Sequence, residues 1–123
     1  MNANELRIGS LVFSKETKEV EIITGVSDIH ISFSSITSGY PTIEEIEPIL
    51  LTEKWLLKFG FKKTTDGFLK IKTRKRGVCL EINLKTKRFI LFNSFFTELL
   101  FLEHVHQLQN LYFALTGQEL TIK

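Results

Sequence analysis

The sequence predicts an α+β fold built from antiparallel β-meanders. Short apolar segments alternate with polar residues at a period of two, and Gly, Asp and Ser separate them. Two segments have a helical period instead, and the order of elements lacks the βαβ rhythm of a doubly wound sheet. We expect a small barrel-like meander at the N-terminus, then a four-stranded meander, with one short and one longer helix packed on the sheet.

The length of 123 residues suits a single domain spanning 1–123, with a subdivision into an N-terminal β-meander at 1–42 and an α+β part at 43–123. Strands are predicted at Leu11–Phe13, Val20–Thr24 and Ile29–Phe33, with a bend at Gly25. The segment Ser34–Thr42 is rich in Ser, Thr, Gly and Pro. It is predicted to be the loop at the boundary.

The second part is predicted to begin with an extended segment, Ile46–Leu51, because Pro48 disfavours helix at Glu47. Thr52 is the predicted N-cap of a short helix that ends at Gly60. The meander follows, with a hairpin turn at 65–67 and strands predicted at Phe61–Thr64, Phe68–Thr73, Val78–Lys85 and Arg88–Phe92. The segment Glu98–Glu103 fits either a further strand or the beginning of the last helix.

The longer helix is predicted over His104–Gly117, lying across a sheet and closing the core. One apolar face recurs at three- and four-residue spacing and contains Val105, Leu108, Leu111, Tyr112 and Leu115. Gln107, Gln109 and Asn110 fall outside that face, and Phe113 is expected at the surface. Gly117 is placed to end the helix in the left-handed conformation. A short terminal strand is predicted at Leu120–Ile122.

Charge is distributed unevenly along the chain. The segment Lys58–Arg88 has a net charge of +9, whereas residues 1–57 carry −5 and residues 89–123 carry −2. The candidate nucleic-acid-binding residues lie in this basic meander: Lys70, Lys72, Arg74, Lys75, Arg76, Lys85, Lys87 and Arg88. Lys62 and Lys63 lie on a neighbouring strand of the same meander.

Two interpretations of the basic meander remain open at this level. Lysines that alternate along a strand share one face, and such a face could neutralise phosphates and release counterions. The alternative is a solvated face whose lysines discourage edge pairing and complement acidic residues elsewhere, such as Glu44, Glu45 and Glu47. No aromatic residues interleave with the basic ones in the manner of an RNA-recognition sheet.

The sequence contains little that indicates catalysis, and we expect no catalytic site, no metal and no cofactor. The closest approach to a metal cluster is Glu103, His104 and His106. The two histidines would share a face if this segment were extended, whereas on a helix they would point about 200° from each other, and we expect them at the start of the helix. Cys79 is expected in a strand with no activating histidine nearby in sequence. No glycine-rich phosphate loop is present, since neither GxGxxG nor GxxxxGK occurs.

Composition bears on location and assembly. The first residues lack the apolar core of a signal peptide, and no apolar run approaches the ~20 residues that cross a bilayer. One cysteine excludes an internal disulfide, so we expect a cytoplasmic protein without membrane association. We also keep a homodimer open, because a short chain with 11 phenylalanines and exposed strand edges could bury more surface by pairing.

Three stretches together carry a resemblance to a known family: MNANELRIG at 1–9, LTEKWLLKFGF at 51–61 and HQLQNLYFALTG at 106–117. The chain resembles a family of small uncharacterised proteins that is common in Bacteroidota genomes and in their phages and prophages. It departs from the usual pattern at Ser10, Leu50 and Gln118. The resemblance implies a phage- or mobile-element-associated protein and transfers no catalytic or binding residue.

From these observations we expect an accessory protein that acts by protein–protein binding. The alternative is a nucleic-acid-binding module that uses the basic meander 58–88, and a small enzyme around His104, His106 and Cys79 is ranked last.

Overall fold

The computed structural model describes residues 5–27, 30–33, 42–72, 79–83, 85, 88–92 and 97–122. These residues form two antiparallel sheets, of four and five strands, and two α-helices, so the predicted α+β fold with antiparallel meanders is confirmed. The predicted loop Ser34–Thr42 lies outside the described residues except for Thr42.

The chain divides into two compact units. The first comprises residues 1–50 together with 104–110, and the second comprises 51–103 together with 111–123. The first unit therefore contains the beginning of the last helix as well as the N-terminal strands. The predicted subdivision at residue 42 stays a prediction.

The four-stranded sheet belongs to the first unit. Its strands are β1 (Leu11–Ser14), β2 (Val20–Val26), β3 (Ile31–Phe33) and β4 (Ile46–Glu47). Their order is β3-β2-β1-β4, all antiparallel, and a 3-10 turn at Ile43–Glu45 leads into β4. The register between β2 and β3 shifts between Ile23 and Gly25, which confirms the predicted bend at Gly25.

The core of this unit is small and aliphatic. It consists of Leu6, Val12, Ile23, Ile31, Phe33 and Ile46, with Ile43 packed against it. On β2 the inward positions are Ile23 and Glu21, whereas Val20 and Ile22 are 44% and 47% exposed. Glu21 accepts a hydrogen bond from the Thr17 hydroxyl at 3.3 Å, so its buried carboxylate has a hydrogen-bond partner.

The second unit begins with α1 (Glu53–Lys58), followed by five strands. The strands are β5 (Lys62–Lys63), β6 (Leu69–Lys72), β7 (Cys79–Asn83), β8 (Arg88–Phe92) and β9 (Thr97–Phe101). They pair in sequence order, β5-β6-β7-β8-β9. The meander thus has one strand more than expected, because the segment Glu98–Glu103 resolves mainly as strand β9.

The short helix has the predicted ends. The Thr52 hydroxyl accepts the backbone N–H of Trp55, and Glu53 lies in the first turn, where a negative charge suits the helix dipole. Gly60 has φ 96°, a left-handed conformation that costs glycine little and lets the chain leave the helix for β5. Leu56 and Phe59 are fully buried.

The longer helix, α2 (Val105–Thr116), lies within the predicted range and is followed by Gly117 at φ 72°. Val105, Leu108 and Tyr112 are buried as predicted, and Phe113 is 42% exposed. Gln109 falls outside the predicted apolar face, yet its side chain is only 1% exposed. The predicted strand at Leu120–Ile122 is wrong, because these residues form no ladder, and the side chain of Leu120 is buried.

Gln109 is buried because its amide replaces a backbone partner at the entry to β1. Its Oε1 accepts the backbone N–H of Leu11 at 2.8 Å, and its Nε2 donates to the carbonyl of Gly9 at 3.0 Å. Asn110 donates from Nδ2 to the carbonyl of Glu5 at 2.7 Å and accepts from Arg7 Nε at 2.7 Å. We call this set of contacts between the start of α2 and the segment 5–11 the polar clasp.

His106 completes the polar clasp. Its ring is 1% exposed, and Nε2 lies 3.2 Å from Glu5 Oε2. An ionised carboxylate only accepts, so Nε2 carries the proton and donates. Nδ1 is buried without a hydrogen-bond partner among the described residues. Burial lowers the pKa of His106 below its ordinary 6.5, and the Glu5 hydrogen bond opposes that shift only in part.

Among the described residues, no helix is both long enough and apolar enough to span a bilayer.

Replacing Gln109 by leucine should destabilise the protein by about 2–3 kcal/mol, because the Leu11 N–H and the Gly9 carbonyl would both lose their partner at a buried site. Urea unfolding followed by circular dichroism measures the loss. Gln118→Leu is the control, because Gln118 is exposed and its side chain is not in the polar clasp. Equal stability of the two variants would show that the amide contributes nothing.

Stability should fall as the pH drops below about 6.5, the unfolded pKa of histidine. The folded state holds His106 neutral, so the unfolded state binds more protons and the free energy of unfolding decreases on acidification. The slope from this group is at most about 1.4 kcal/mol per pH unit. Unfolding measured between pH 7.5 and 5.5, a window of about two units around that pKa, should show a smaller loss for His106→Gln than for the parent.

His30→Gln is the matched control, since His30 is exposed and lies outside the polar clasp. If His106→Gln keeps the full acid sensitivity, the titrating group is another one.

Candidate functional site

The five-stranded sheet has two unlike faces. Side chains on the inner face are buried, and they are Leu69, Ile71, Leu80, Ile82 and Phe89. The alternate positions form the outer face, where every described side chain is half-buried or exposed: Lys70, Lys72, Cys79, Glu81, Asn83, Arg88, Ile90 and Phe101. The alternation of β6 and β7 therefore directs charged residues to one surface, as the sequence predicts.

Register brings lysines from two strands together on the outer face. Lys62 on β5 lies directly opposite Lys70 on β6. Like charges placed directly across an antiparallel pair destabilise it, whereas a Glu at either position would stabilise it. Lys72, two residues along β6, extends the same positive field. The fold thus keeps an unfavourable arrangement at this position.

The charges are only partly compensated within the described residues. Glu81 lies opposite Lys70 on β7, yet among those residues neither Lys62, Lys70 nor Lys72 forms a salt bridge. Lys63 differs, because its Nζ lies 3.2 Å from Glu53 Oε1. That pair is exposed and contributes at most about 1 kcal/mol. Within the described part of the chain, these three ammonium groups therefore have no carboxylate in salt-bridge contact.

A cavity opens among these lysines at the β5 edge of the sheet. Its volume is about 430 Å³, and it is lined by Gly60, Lys62, Lys63, Thr64, Lys70, Ile71 and Lys72. We call it the lysine cleft. Pairing of β5 with β6 ends at Lys62–Lys70, and the chain turns away at Gly60. The cleft lies in the notch left where β5 stops short of the end of β6.

An aromatic side chain lies at the opposite edge of the same face. Phe101 on β9 is 65% exposed, and the Arg88 guanidinium carbon stands 5.3 Å from the centre of its ring. The register Asn83–Arg88–Phe101 places both on the outer face. Three strand spacings separate β6 from β9, about 14 Å. The outer face therefore has a cationic end and an end that combines a cation with an exposed ring.

The predicted binding residues divide into three groups. Lys70, Lys72 and Arg88 lie on the outer face, and Lys85 is exposed in the turn after β7. Arg74, Lys75, Arg76 and Lys87 lie outside the described residues. The structure adds Lys62, Lys63 and Phe101. Lys62 and Lys63 could have been found from the hairpin centred on residue 66, but Phe101 needed the register of β9, which the sequence left undecided.

Cys79 lies on the outer face, at the end of β7 that is next to the lysines. Burial raises the pKa of its thiol, and nearby Glu81 adds to that effect, while Lys70 and Lys72 oppose it. Its Sγ contacts the Leu80 carbonyl at 3.9 Å. A thiol whose pKa is raised stays protonated at neutral pH, which is the opposite of an activated nucleophile.

The histidines do not form a metal site in the part of the chain that the structure describes. No group of three or more His, Cys, Asp or Glu side chains there is arranged around a common point. The expectation that His104 and His106 point about 200° apart is wrong, because His104 precedes α2. Their rings stack, with centroids 5.8 Å apart and planes at 13°.

Comparisons with known proteins add no relative to this geometry. No family model, no curated protein and no solved structure matches the chain.

Proposed function

We propose that the protein acts by binding, and that the outer face of the five-stranded sheet binds single-stranded nucleic acid. The observation that supports this most is the Lys62–Lys70 cross-strand pair with Lys72 beside it, a positive arrangement that weakens the sheet in the absence of an anion. A phosphate backbone removes that repulsion and releases its own counterions.

The exposed Phe101 favours a single strand over a duplex. Bases of a single strand stack on aromatic rings and on guanidinium planes, and Arg88 with Phe101 offers both on one surface. The bases of a duplex are already stacked on each other, and its grooves are read by inserted helices or ribbons. A flat sheet face that carries lysines and a ring suits the unstacked strand.

A partner protein is the second candidate, and it was the first expectation from sequence. The exposed ring of Phe101, together with the half-buried Ile90 on the neighbouring strand, gives the outer face an apolar end that could be covered by another chain. The lysines would then meet acidic side chains. This candidate uses the same face, so charge and aromatic variants separate it from the first.

The cellular setting is part of the proposal. The resemblance of the three stretches suggests a cytoplasmic accessory protein of a phage or mobile element. Replication and recombination expose unpaired strands, so such a setting offers a ligand for a protein that binds single strands.

Affinity for a fluorescently labelled oligothymidylate should fall steeply with salt. Each phosphate neutralised on a single strand contributes about −0.7 to the slope of log K against log salt, so the triple variant Lys62→Gln, Lys70→Gln, Lys72→Gln should have a slope smaller by about 2. Anisotropy titrations at several salt concentrations measure it. Lys54→Gln is the matched control, because Lys54 is exposed on α1 and does not line the cleft.

Phe101→Ala should weaken binding of the single-stranded nucleic acid by about 1–3 kcal/mol. The slope of affinity against salt should change little, since stacking releases no counterions. Absence of strand binding by the parent at low salt would overturn the nucleic-acid proposal. Retention of a specific protein from host lysate by the parent and its loss with Phe101→Ser would then favour the protein partner.

Lys62→Glu should stabilise the folded protein while it weakens strand binding. The substitution converts a repulsive cross-strand pair into an attractive one, for a gain of about 0.5–1 kcal/mol that shrinks at high salt. Thermal unfolding in low and high salt measures the gain, with Lys54→Glu as the control for the charge change. A destabilised Lys62→Glu protein would show that the lysine pair is part of the packing.

A further inference from the structure

We propose that the lysine cleft binds a phosphate monoester, and that in the bound complex this group is the terminal phosphate of the strand. The inference rests on the proposed function and adds a specificity to it: strands with a phosphorylated end are preferred to strands that end in a hydroxyl.

The shape of the site is the first argument. The lysine cleft is a concavity of about 430 Å³ at the β5 edge of the sheet. Pockets that enclose small ligands have volumes of roughly 300–1,000 Å³, so one terminal nucleotide fits. A chain of linked nucleotides passing through would instead require a groove open at both ends.

The position of the site is the second argument. The strand order places β5 at one edge of the sheet and β9 at the other. A nucleic-acid strand that stacks on Phe101 and crosses the outer face towards the lysines reaches the β5 edge. The end of the nucleic-acid strand binds there, in the notch beside Gly60. At this notch β5 stops and the chain connects to α1.

The charge count is the third argument. Four ammonium groups line the cleft, from Lys62, Lys63, Lys70 and Lys72, and the carboxylate of Glu53 accounts for one of them through Lys63. An internal phosphodiester carries one negative charge, whereas a terminal monoester carries −1.5 to −2 at neutral pH, roughly as on a phosphoserine. Lysine ammonium groups act as point charges that gather around such a group without a fixed geometry.

The role of Lys63 separates this site from the open face. Its register partner is Leu69, which belongs to the inner face, so Lys63 does not lie in the row of Lys62 and Lys70. It reaches the cavity from the edge. Lys63 is thus expected to contribute to the monoester site and little to the rest of the strand.

The test compares three labelled strands of one sequence: with a 5′-phosphate, with a 3′-phosphate, and with hydroxyls at both ends. Free thymidine monophosphate is the fourth ligand, followed by the amide shifts of the cleft residues in NMR spectra. The parent should bind one phosphorylated strand about fivefold more tightly than the hydroxyl strand, as expected for one extra exposed charge contact. The double variant Lys62→Gln, Lys63→Gln should lose that preference.

Phe101→Ala should weaken binding of all three oligonucleotides by the same factor. The preference for a phosphorylated end should stay intact, because the ring lies at the far edge of the sheet. Lys54→Gln controls for loss of one positive charge, and circular dichroism confirms that each variant is folded. Equal binding of the three strands by the parent would overturn the terminal-phosphate inference and leave the proposed function standing.

Two further outcomes separate the sources of the phosphate. Binding of free thymidine monophosphate with shifts confined to the cleft, but of no strand, supports the monoester site, assigns it to a free nucleotide and overturns the proposed function. Binding of neither the strands nor the monophosphate overturns both.

Discussion

The first unit depends on one buried amide. Gln109 on α2 supplies both a donor and an acceptor to the backbone at the start of β1. A buried backbone group must find a partner, and at this point no strand provides one. The Gln109 side chain on α2 provides these partners instead. The N-terminal segment and the start of the helix are therefore held in position by the same contacts.

The polar clasp joins two stretches that are far apart in the sequence. The start of the chain and the segment that begins at His106 contact each other through Glu5, Arg7, His106, Gln109 and Asn110. Residues nearly a whole chain apart are thus one structural unit. Burial lowers the pKa of the histidine in this set, and its ring lies beside Glu5 within the first unit.

The second unit shows the contrasting use of charge. Elsewhere this unit places Glu beside Lys, as between Glu53 on α1 and Lys63 on β5, and between Glu81 on β7 and Lys70 on β6. At the Lys62–Lys70 pair it has lysine on both sides instead. Arrangements that weaken a fold are common where a surface is kept for a ligand, because the ligand supplies the missing counter-charge. The same surface carries Cys79, whose thiol pKa is raised by burial.

Much of the local structure was fixed by sequence alone. Thr52, Gly60 and Gly117 mark helix ends, the strands around residue 66 form a hairpin, and β6 and β7 alternate as predicted. These features depend on the conformational preference of one residue or on a period of two, which neighbours in sequence suffice to set.

Tertiary structure decided what depends on residues distant in sequence. On β2 the alternation is equally regular for both faces, and only packing against the core of the first unit turned Ile23 and Glu21 inward and left Val20 and Ile22 outside. The burial of Gln109 could not be predicted from the helical pattern, because its partners lie about a hundred residues earlier. Phe101 joined Lys70 on one face only through the ladder of four strands. The charges of the candidate site could be counted from the sequence. Its concavity and its aromatic end depend on strand register, which is a property of two paired strands and not of either strand alone.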